Sequence, residues 1–465
     1  MVIYPGKQSG DRSQNEGRAG AKTVIEQRAQ LPRKLGLFDS TAIVIGTMVG
    51  SAIFLVPNSI AQNLPTAPMI LSVWVIAGVL SAIGALAYAE LGAMMPATGG
   101  QYVFLRESFG PMGGFLCGWS FFLAARSGGI AVVAVGFSIY LSYFVPLTPL
   151  LSKLVSVGLI LFLSWVNYRG IRVGATVQNV FTSLKVLGLA LLIGSAFLSP
   201  VHAASPAPAA AASLSLSQFG LAMIACLWAY NGWFAISLVA GEVRNPQRNL
   251  PLSLMLGVTT VMALYLLANL AYLRVFTIPE IAASERVASA TAQLTMGHVG
   301  AVLVSLTILT SMFGTTNGNI MTASRLYFAQ ARDGLFFEKF GFVHPKFETP
   351  AVSILGQGIW SSLLAVSGSY EVLFSYSTFT FWVFYAMTVA GVLILRRKYP
   401  DMPRPYKMWG YPVTPVIFVA VAAWFVANTL VSRPGPSVIG LGMIASGVPA
   451  YYAWRWREGR ASSAG

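Results

Sequence analysis

Apolar residues along this chain come in long runs separated by short polar breaks. The runs lie at 38–62, 68–95, 112–144, 151–167, 174–198, 217–240, 250–275, 298–328, 350–366, 371–396, 412–432 and 436–455. A helix that crosses a bilayer needs about 20 mostly apolar residues. Twelve runs of that order predict twelve transmembrane helices, an all-α polytopic membrane protein with little chain left for a soluble domain.

Composition supports the same class. The 465 residues are 55% hydrophobic and 10% charged, with a mean hydropathy of +0.67, whereas a soluble domain carries about 25% charged residues. A soluble globular enzyme is excluded. The net charge of +15 would direct attention to nucleic acid in a soluble chain, but here its distribution matters more. With the N-terminus inside the cell, twenty-four Lys and Arg fall on inner segments and four, Lys153, Arg274, Arg286 and Arg433, on outer ones. By the positive-inside rule both termini are cytoplasmic and the number of spans is even. The two basic residues outside this count, Arg126 and Lys185, fall inside spans.

The expected organisation is a basic cytoplasmic N-terminal tail at 1–35, with no apolar stretch of a signal peptide, and a block of five helices at 36–198. An external Ala/Pro/Ser-rich linker at 199–215 leads to a second block of five helices at 216–397. Helices 11 and 12 at 398–456 and a cytoplasmic tail at 457–465 complete the chain. Cys117 and Cys226 sit inside apolar runs without a CxxC pair, and His202, His298 and His344 are far apart. Neither a structural disulfide nor a metal site is expected. There is no GxxxxGK[ST] loop to bind ATP, and no cofactor is expected.

Two spans carry clusters of small residues at mid-length. Span 1 contains Gly46, Gly50, Ser51 and Ala52, and span 6 contains Asn231 and Gly232 next to Trp228. Each leads a five-span block, and an odd number of spans gives the blocks opposite orientations. That is the inverted repeat of many secondary transporters, with substrate bound where two broken helices meet. A helix restarting after Ser51 would offer free N–H groups and a positive dipole end to a carboxylate. Carbonyls ending the preceding half-helices, near Met48 and from Trp228 to Asn231, would suit an ammonium group. Together they describe a zwitterionic α-amino acid held by backbone atoms.

Intramembrane charges are costly and commonly functional or paired. Lys185 lies about 14 Å into its span at 1.5 Å per residue, too deep for easy snorkelling. Arg126 is expected either to pair with helix-end carbonyls or a carboxylate such as Glu90, or to contact substrate. Glu90 itself, a turn or two from the cytoplasmic end of span 2, reads as a hydrated carboxylate. The basic clusters at 396–398 and 325–332 read as topology and headgroup anchors.

At the span 1 break, IGTMVGSAIF (45–54), the chain resembles the L-type amino acid transporter (LAT) family of the amino acid–polyamine–organocation (APC) superfamily. Four further stretches carry the resemblance: YAELGAMMPATGGQYVFLRESFG (88–110), LWAYNGWFAISLVAGEVRNPQRNLP (227–251), NGNIMTASRLYFAQARDG (317–334) and FYAMTVAGVLILRRKYPDMPRP (384–405). It spans about residues 35 to 455. It implies a LeuT-type 5+5 inverted repeat with broken helices 1 and 6, plus helices 11 and 12, in a prokaryotic cytoplasmic membrane. The implied activity is sodium-independent amino acid exchange by alternating access.

Carried over residue by residue, the carboxylate site falls on Ser51 and Ala52, beside Gly50. The ammonium-binding carbonyls fall on Met48, Trp228 and Asn231, beside Gly232, and Trp228 matches the aromatic that closes over substrate. Ala52 departs from the family pattern, which has Gly there. Lys185 stands where sodium-coupled relatives bind sodium, and would tie span 5 to the span 1 break. Phe381 holds the span 10 position that is Arg in transporters of acidic substrates, and Asn319 is expected to face the same cavity. Neutral amino acids, small ones such as alanine or serine first, are the expected substrates. Eukaryotic relatives join an accessory heavy subunit through a Cys after span 3; here the loop at 145–152 has none, and no covalent partner is expected. The alternatives are proton-coupled uptake, with Lys185 or Glu90 titrating, and, of another class, a membrane-embedded enzyme or amino acid sensor.

Overall fold

The computed structural model describes residues 31–200, 215–368, 370–432 and 434–463. The expectations for residues 1–30, the linker core at 201–214 with His202, Arg433 and residues 464–465 lie outside the described residues.

Span 1 is two helices, α1 (Leu37–Met48) and α2 (Ala52–Asn63), bent by 40° at their junction. Then come α3 (Ala67–Met94), the short α4 (Gln101–Phe109), α5 (Pro111–Leu141), α6 (Pro149–Tyr168) and α7 (Ile171–Leu198). The second block opens with α8 (Leu216–Ala229) and the one-turn α9 (Ala235–Leu238). It continues with α10 (Pro246–Val275), α11 (Ile278–Ala283), α12 (Val287–Arg332), α13 (Ala351–Ser367) and α14 (Tyr370–Lys398). The last two are α15 (Val413–Ser432) and α16 (Pro434–Ser463). Among the described residues eight helices are long and apolar enough to cross a bilayer, nine with the bent pair. The shorter apolar α8 and α13, with α16, account for the remaining three predicted runs.

Local sequence sets the starts. Proline stands in the first turn of α3, α5, α6 and α10, where its missing N–H would have no partner in any case. Thr277 and Glu280 form a reciprocal cap on α11, with the Glu280 carboxylate accepting from Thr277 N at 2.7 Å. The structure also differs from the predicted spans. Gly297, at φ 71°, turns α12 so that Val287 to Met296 form a separate leading helix. α16 runs on to Ser463, past the apolar run that ends at 455, because polar residues cost a helix nothing once it leaves lipid.

The neighbours pair off under exchange of the two five-span blocks. α3 packs on α10, α5 on α12 and α6 on α13, each a helix against its own counterpart. The contact of α1 with α10 is matched by α8 with α3, α7 with α12 by α14 with α5, and α6 with α12 by α13 with α5. An inverted repeat requires this correspondence. α15 leans on α14 and α3, and α16 on α14 and α5, outside the repeat.

Ionic contacts gather on the face where α1 begins. Lys34 pairs with Glu348 and Arg106 with Asp333, while Lys398 Nζ donates to Glu107 O at 2.9 Å. Three charged groups differ from expectation. Glu90 is 1% exposed, not hydrated, and receives Arg396 Nε and Nη2 at 2.8 and 2.7 Å and Met408 N at 2.8 Å. Arg396, itself partly exposed, is therefore the partner of a buried carboxylate instead of a headgroup anchor, and Glu90 is not the partner of Arg126. Arg325 is fully buried, its Nε 2.8 Å from Glu242 Oε1. A lone charge at these depths would be prohibitively costly, but partners 306 and 83 residues away in the chain are invisible in a linear pattern.

Candidate functional site

Between α1 and α2, Val49, Gly50 and Ser51 leave the helical path; between α8 and α9, residues 230–234 do the same. The two breaks touch. Thr47 Oγ1 donates to Gly232 O at 3.0 Å, and Gly232, at φ 118°, comes so close that a Cβ there would lie 2.5 Å from Thr47 O. Only glycine combines that φ with that approach. Tyr265 of α10 sits beneath both, its hydroxyl 3.0 Å from Met48 O and 3.1 Å from Ala229 O, at the ends of α1 and α8.

No side chain caps α2, and among the described residues the N–H groups of Ser51, Ala52 and Ile53 make no hydrogen bond. These donors and the dipole behind them form an anion-accepting end. Ala52 is already a helical residue of α2, so its methyl group meets no φ penalty at the position where the family has glycine. Met48 O accepts from Tyr265 Oη at 3.0 Å and from Gly50 N at 2.8 Å, and Trp228 O accepts from Asn231 N at 3.0 Å and from Tyr230 N, so a substrate ammonium would share these carbonyls with donors of the chain.

Lys185 of α7 is fully buried behind the first break. Its ammonium donates to Val49 O at 2.8 Å, Gly46 O at 2.9 Å, Ser311 O at 3.0 Å and Thr315 Oγ1 at 3.2 Å. Ser311 Oγ adds a bond to Val49 O at 2.7 Å and Thr315 Oγ1 one to Gly46 O at 3.0 Å. The end of α1 is thereby tied to α7 and α12 through oxygens of the kind that would surround a small cation.

One cavity lies between the breaks, lined by Thr47, Met48, Gly50, Ser51 and Ala52, by Trp228, Asn231 and Gly232, and by Arg126, Gly129, Val133, Thr315, Asn319 and Phe381. All nine residues expected to touch substrate are among them, and so is Arg126. Lys185 is one layer behind, reaching the cavity through Thr315. Trp228 packs edge-on against Phe374 at 4.3 Å between centroids, and Phe381 stacks on Tyr385 at 5.8 Å. Asn231 Oδ1 accepts from Tyr385 Oη at 2.6 Å.

Sequence reasoning passes over Thr47, Gly129, Val133 and Thr315, and the supporting Tyr265, Ser311 and Tyr385. Helical spacing holds part of the signal. Arg126, Gly129 and Val133 lie at i, i+3 and i+7, Ser311, Thr315 and Asn319 four apart, and Phe381 and Tyr385 four apart, each set on one face. Tyr265 has no such marker, since its role depends on two breaks that meet only in space.

Two crossed, interrupted helices around a polar cavity, within a doubled five-helix block, define a secondary transporter. An amino acid permease family model matches residues 35–452. The human b(0,+)-type amino acid transporter 1 is 31% identical over 436 residues, 91% of this chain and 89% of that one. The human large neutral amino acids transporter small subunit 2 is 32% identical over 468 residues, covering 97% and 84%, and the serine/threonine exchanger SteT of Bacillus subtilis 31% over 432, covering 92% and 98%. The chain belongs to the amino acid permease family of the APC superfamily, with LAT-type transporters as its relatives. It is a membrane transporter of amino acids and not an enzyme.

Proposed function

We propose that this chain is a sodium-independent exchanger of neutral L-amino acids, small ones such as alanine or serine favoured, working by alternating access in the cytoplasmic membrane with both termini inside. The observation that carries this reading is the ammonium of Lys185 among Gly46 O, Val49 O, Ser311 O and Thr315 Oγ1. A covalently attached cation occupies the oxygens at the first break, so closure around substrate needs no dissolved ion. The substrate carboxylate binds the N–H groups of Ser51 and Ala52, its ammonium the carbonyls of Met48, Trp228 and Asn231, and Trp228 covers it. The Phe381 ring, which lines the cavity and stacks on Tyr385, narrows the side-chain end, which supports small substrates. The name of the Bacillus relative, an exchanger of serine and threonine, agrees.

Labelled alanine is expected to enter proteoliposomes only when they are preloaded with unlabelled amino acid, equally with and without sodium. Uptake into empty vesicles that follows a pH gradient would overturn exchange in favour of proton coupling. For that alternative the specific support is that Lys185 is fully buried with no carboxylate among its partners in the described residues.

In the same assay Lys185→Ala is expected to cut uptake at least tenfold. It removes the charged donor from Gly46 O and Val49 O, which keep only Thr315 Oγ1 and Ser311 Oγ, and a hydrogen bond to a charged group contributes about 1.5–3 kcal/mol. Wild-type uptake in this variant would remove Lys185 from the coupling between occupancy and closure.

A further inference from the structure

The side-chain end of the cavity is built of hydrogen-bond donors. Arg126 is 3% exposed; its Nη1 donates to Asn319 Oδ1 at 3.0 Å, while Nε and Nη2 have no partner among the described residues. A guanidinium can only donate, so Asn319 must turn its oxygen toward Arg126, and its amide nitrogen takes part in none of the hydrogen bonds of the described residues. Asn231 is oriented likewise, its oxygen taken by Tyr385 Oη. The Thr315 hydroxyl is turned toward Gly46 O. Beneath the guanidinium lies the Phe234 ring, 4.3 Å from its carbon, which attracts the charge but accepts no conventional hydrogen bond.

The backbone aims Arg126 into this place. The five residues before it, Phe121–Ala125, form a π-helical turn, and two of its carbonyls accept hydrogen bonds from neighbouring helices. Trp360 Nε1 of α13 donates to Leu123 O and Ser377 Oγ of α14 to Ala124 O, each at 3.2 Å. The extra residue of a π turn rotates the succeeding part of the helix by about 100° relative to a continuous α-helix, so regular α geometry would carry Arg126 away from the cavity.

We infer that Arg126, with Asn319 and Asn231, makes this transporter select amino acids whose short side chain carries a hydrogen-bond acceptor, a hydroxyl, carboxamide or carboxylate, over apolar side chains of the same shape. The inference rests on the cavity being the amino acid site. A substrate acceptor supplies the bond that the buried guanidinium lacks, and an apolar isostere leaves it unmade. Sites of this kind reject the isostere far more strongly than an apolar pocket rejects an added methylene.

The test is competition against labelled serine exchange in proteoliposomes, with unlabelled serine compared with L-2-aminobutyrate, in which a methyl group replaces the hydroxyl. Asparagine and aspartate separate neutral from anionic acceptors. The wild type is expected to favour serine by at least tenfold, the scale of a hydrogen bond to a charged group. Arg126→Met is expected to bring the ratio within twofold, and Arg126→Lys, which keeps a donor, to retain a preference. Equal inhibition of the wild type by both competitors overturns the inference whatever the variants do, as does an unchanged ratio in Arg126→Met. If Arg126→Met does not fold, Asn319→Leu reads the same ratio, which should fall at least threefold; an unchanged ratio there overturns the inference. A preference for aspartate over both asparagine and serine would overturn the neutral-substrate reading and keep this one. Absence of any amino acid exchange by the wild type would sink the proposed function first.

Discussion

Gly232→Ala is expected to reduce amino acid uptake at least 100-fold by forcing the two breaks apart, a strain that Gly50→Ala does not impose. Both glycines stand at helix breaks, and their surroundings separate them. At Gly232 the backbone has φ 118°, and an added Cβ would lie 2.5 Å from Thr47 O, 2.7 Å from Thr47 C and 3.0 Å from Met48 N. These are main-chain atoms of the other broken span, and they cannot swing aside as a side-chain tip can. The disfavoured backbone costs about 1–3 kcal/mol and relief of the overlap about as much again. That relief would push apart the two segments that carry the carboxylate and ammonium sites, and a displacement of about 1 Å at a reacting or binding geometry can cost roughly 100-fold. At Gly50 the nearest atom to an added Cβ is Thr315 Oγ1 at 3.8 Å, an ordinary contact. Initial rates of both variants in reconstituted vesicles, normalised to folded protein, check the pair. Wild-type uptake by Gly232→Ala would mean that the closeness of the breaks is not needed for transport.

Arg325→Ala is expected to cost about 3–5 kcal/mol of stability, the usual consequence of removing one partner from a buried ion pair. Arg325 and Glu242 are both fully buried, and the guanidinium also donates from Nη1 to Met321 O at 2.9 Å. Without it the Glu242 carboxylate would be left buried without its cationic partner. The matching double variant, Glu242→Gln with Arg325→Met, is expected to recover most of the loss, because the desolvation cost of both charges disappears with them. Thermal unfolding of purified protein, followed by size-exclusion chromatography, distinguishes these outcomes. A single variant that melts with the wild type would show that water reaches Glu242. The pair joins α12 to the short 3₁₀ turn at Ala240–Glu242, just past α9, and so braces the second broken span.

Features differ in the kind of signal they leave along the chain. The twelve apolar runs and the two small-residue breaks are local. Lipid demands long uninterrupted helices, and a break is visible as the residues that tolerate it. For the same reason Met48, Ser51, Trp228 and Asn231 can be named from sequence, while Phe381 is named only through the resemblance to the family, and the structure gathers all five at one cavity. The environments of Glu90 and Arg325 cannot be read in this way, since depth along a helix says nothing about which charge arrives from another helix. Gly297 escapes notice because a turn inside an otherwise helical stretch leaves only one glycine as its trace.

By itself, then, the order of residues determined the membrane class, the doubled block of five helices, the two broken spans and an unusually deep lysine, all of which derive from hydropathy and backbone chemistry within about twenty residues. Only the tertiary structure decided that Gly232 is obligatory in space where Gly50 is not, that Tyr265 joins the two breaks, that Glu90 and Arg325 are buried partners, and that a π turn brings a half-satisfied Arg126 to the cavity. Those features depend on distances between residues far apart in the chain, and such distances exist only once the helices have packed.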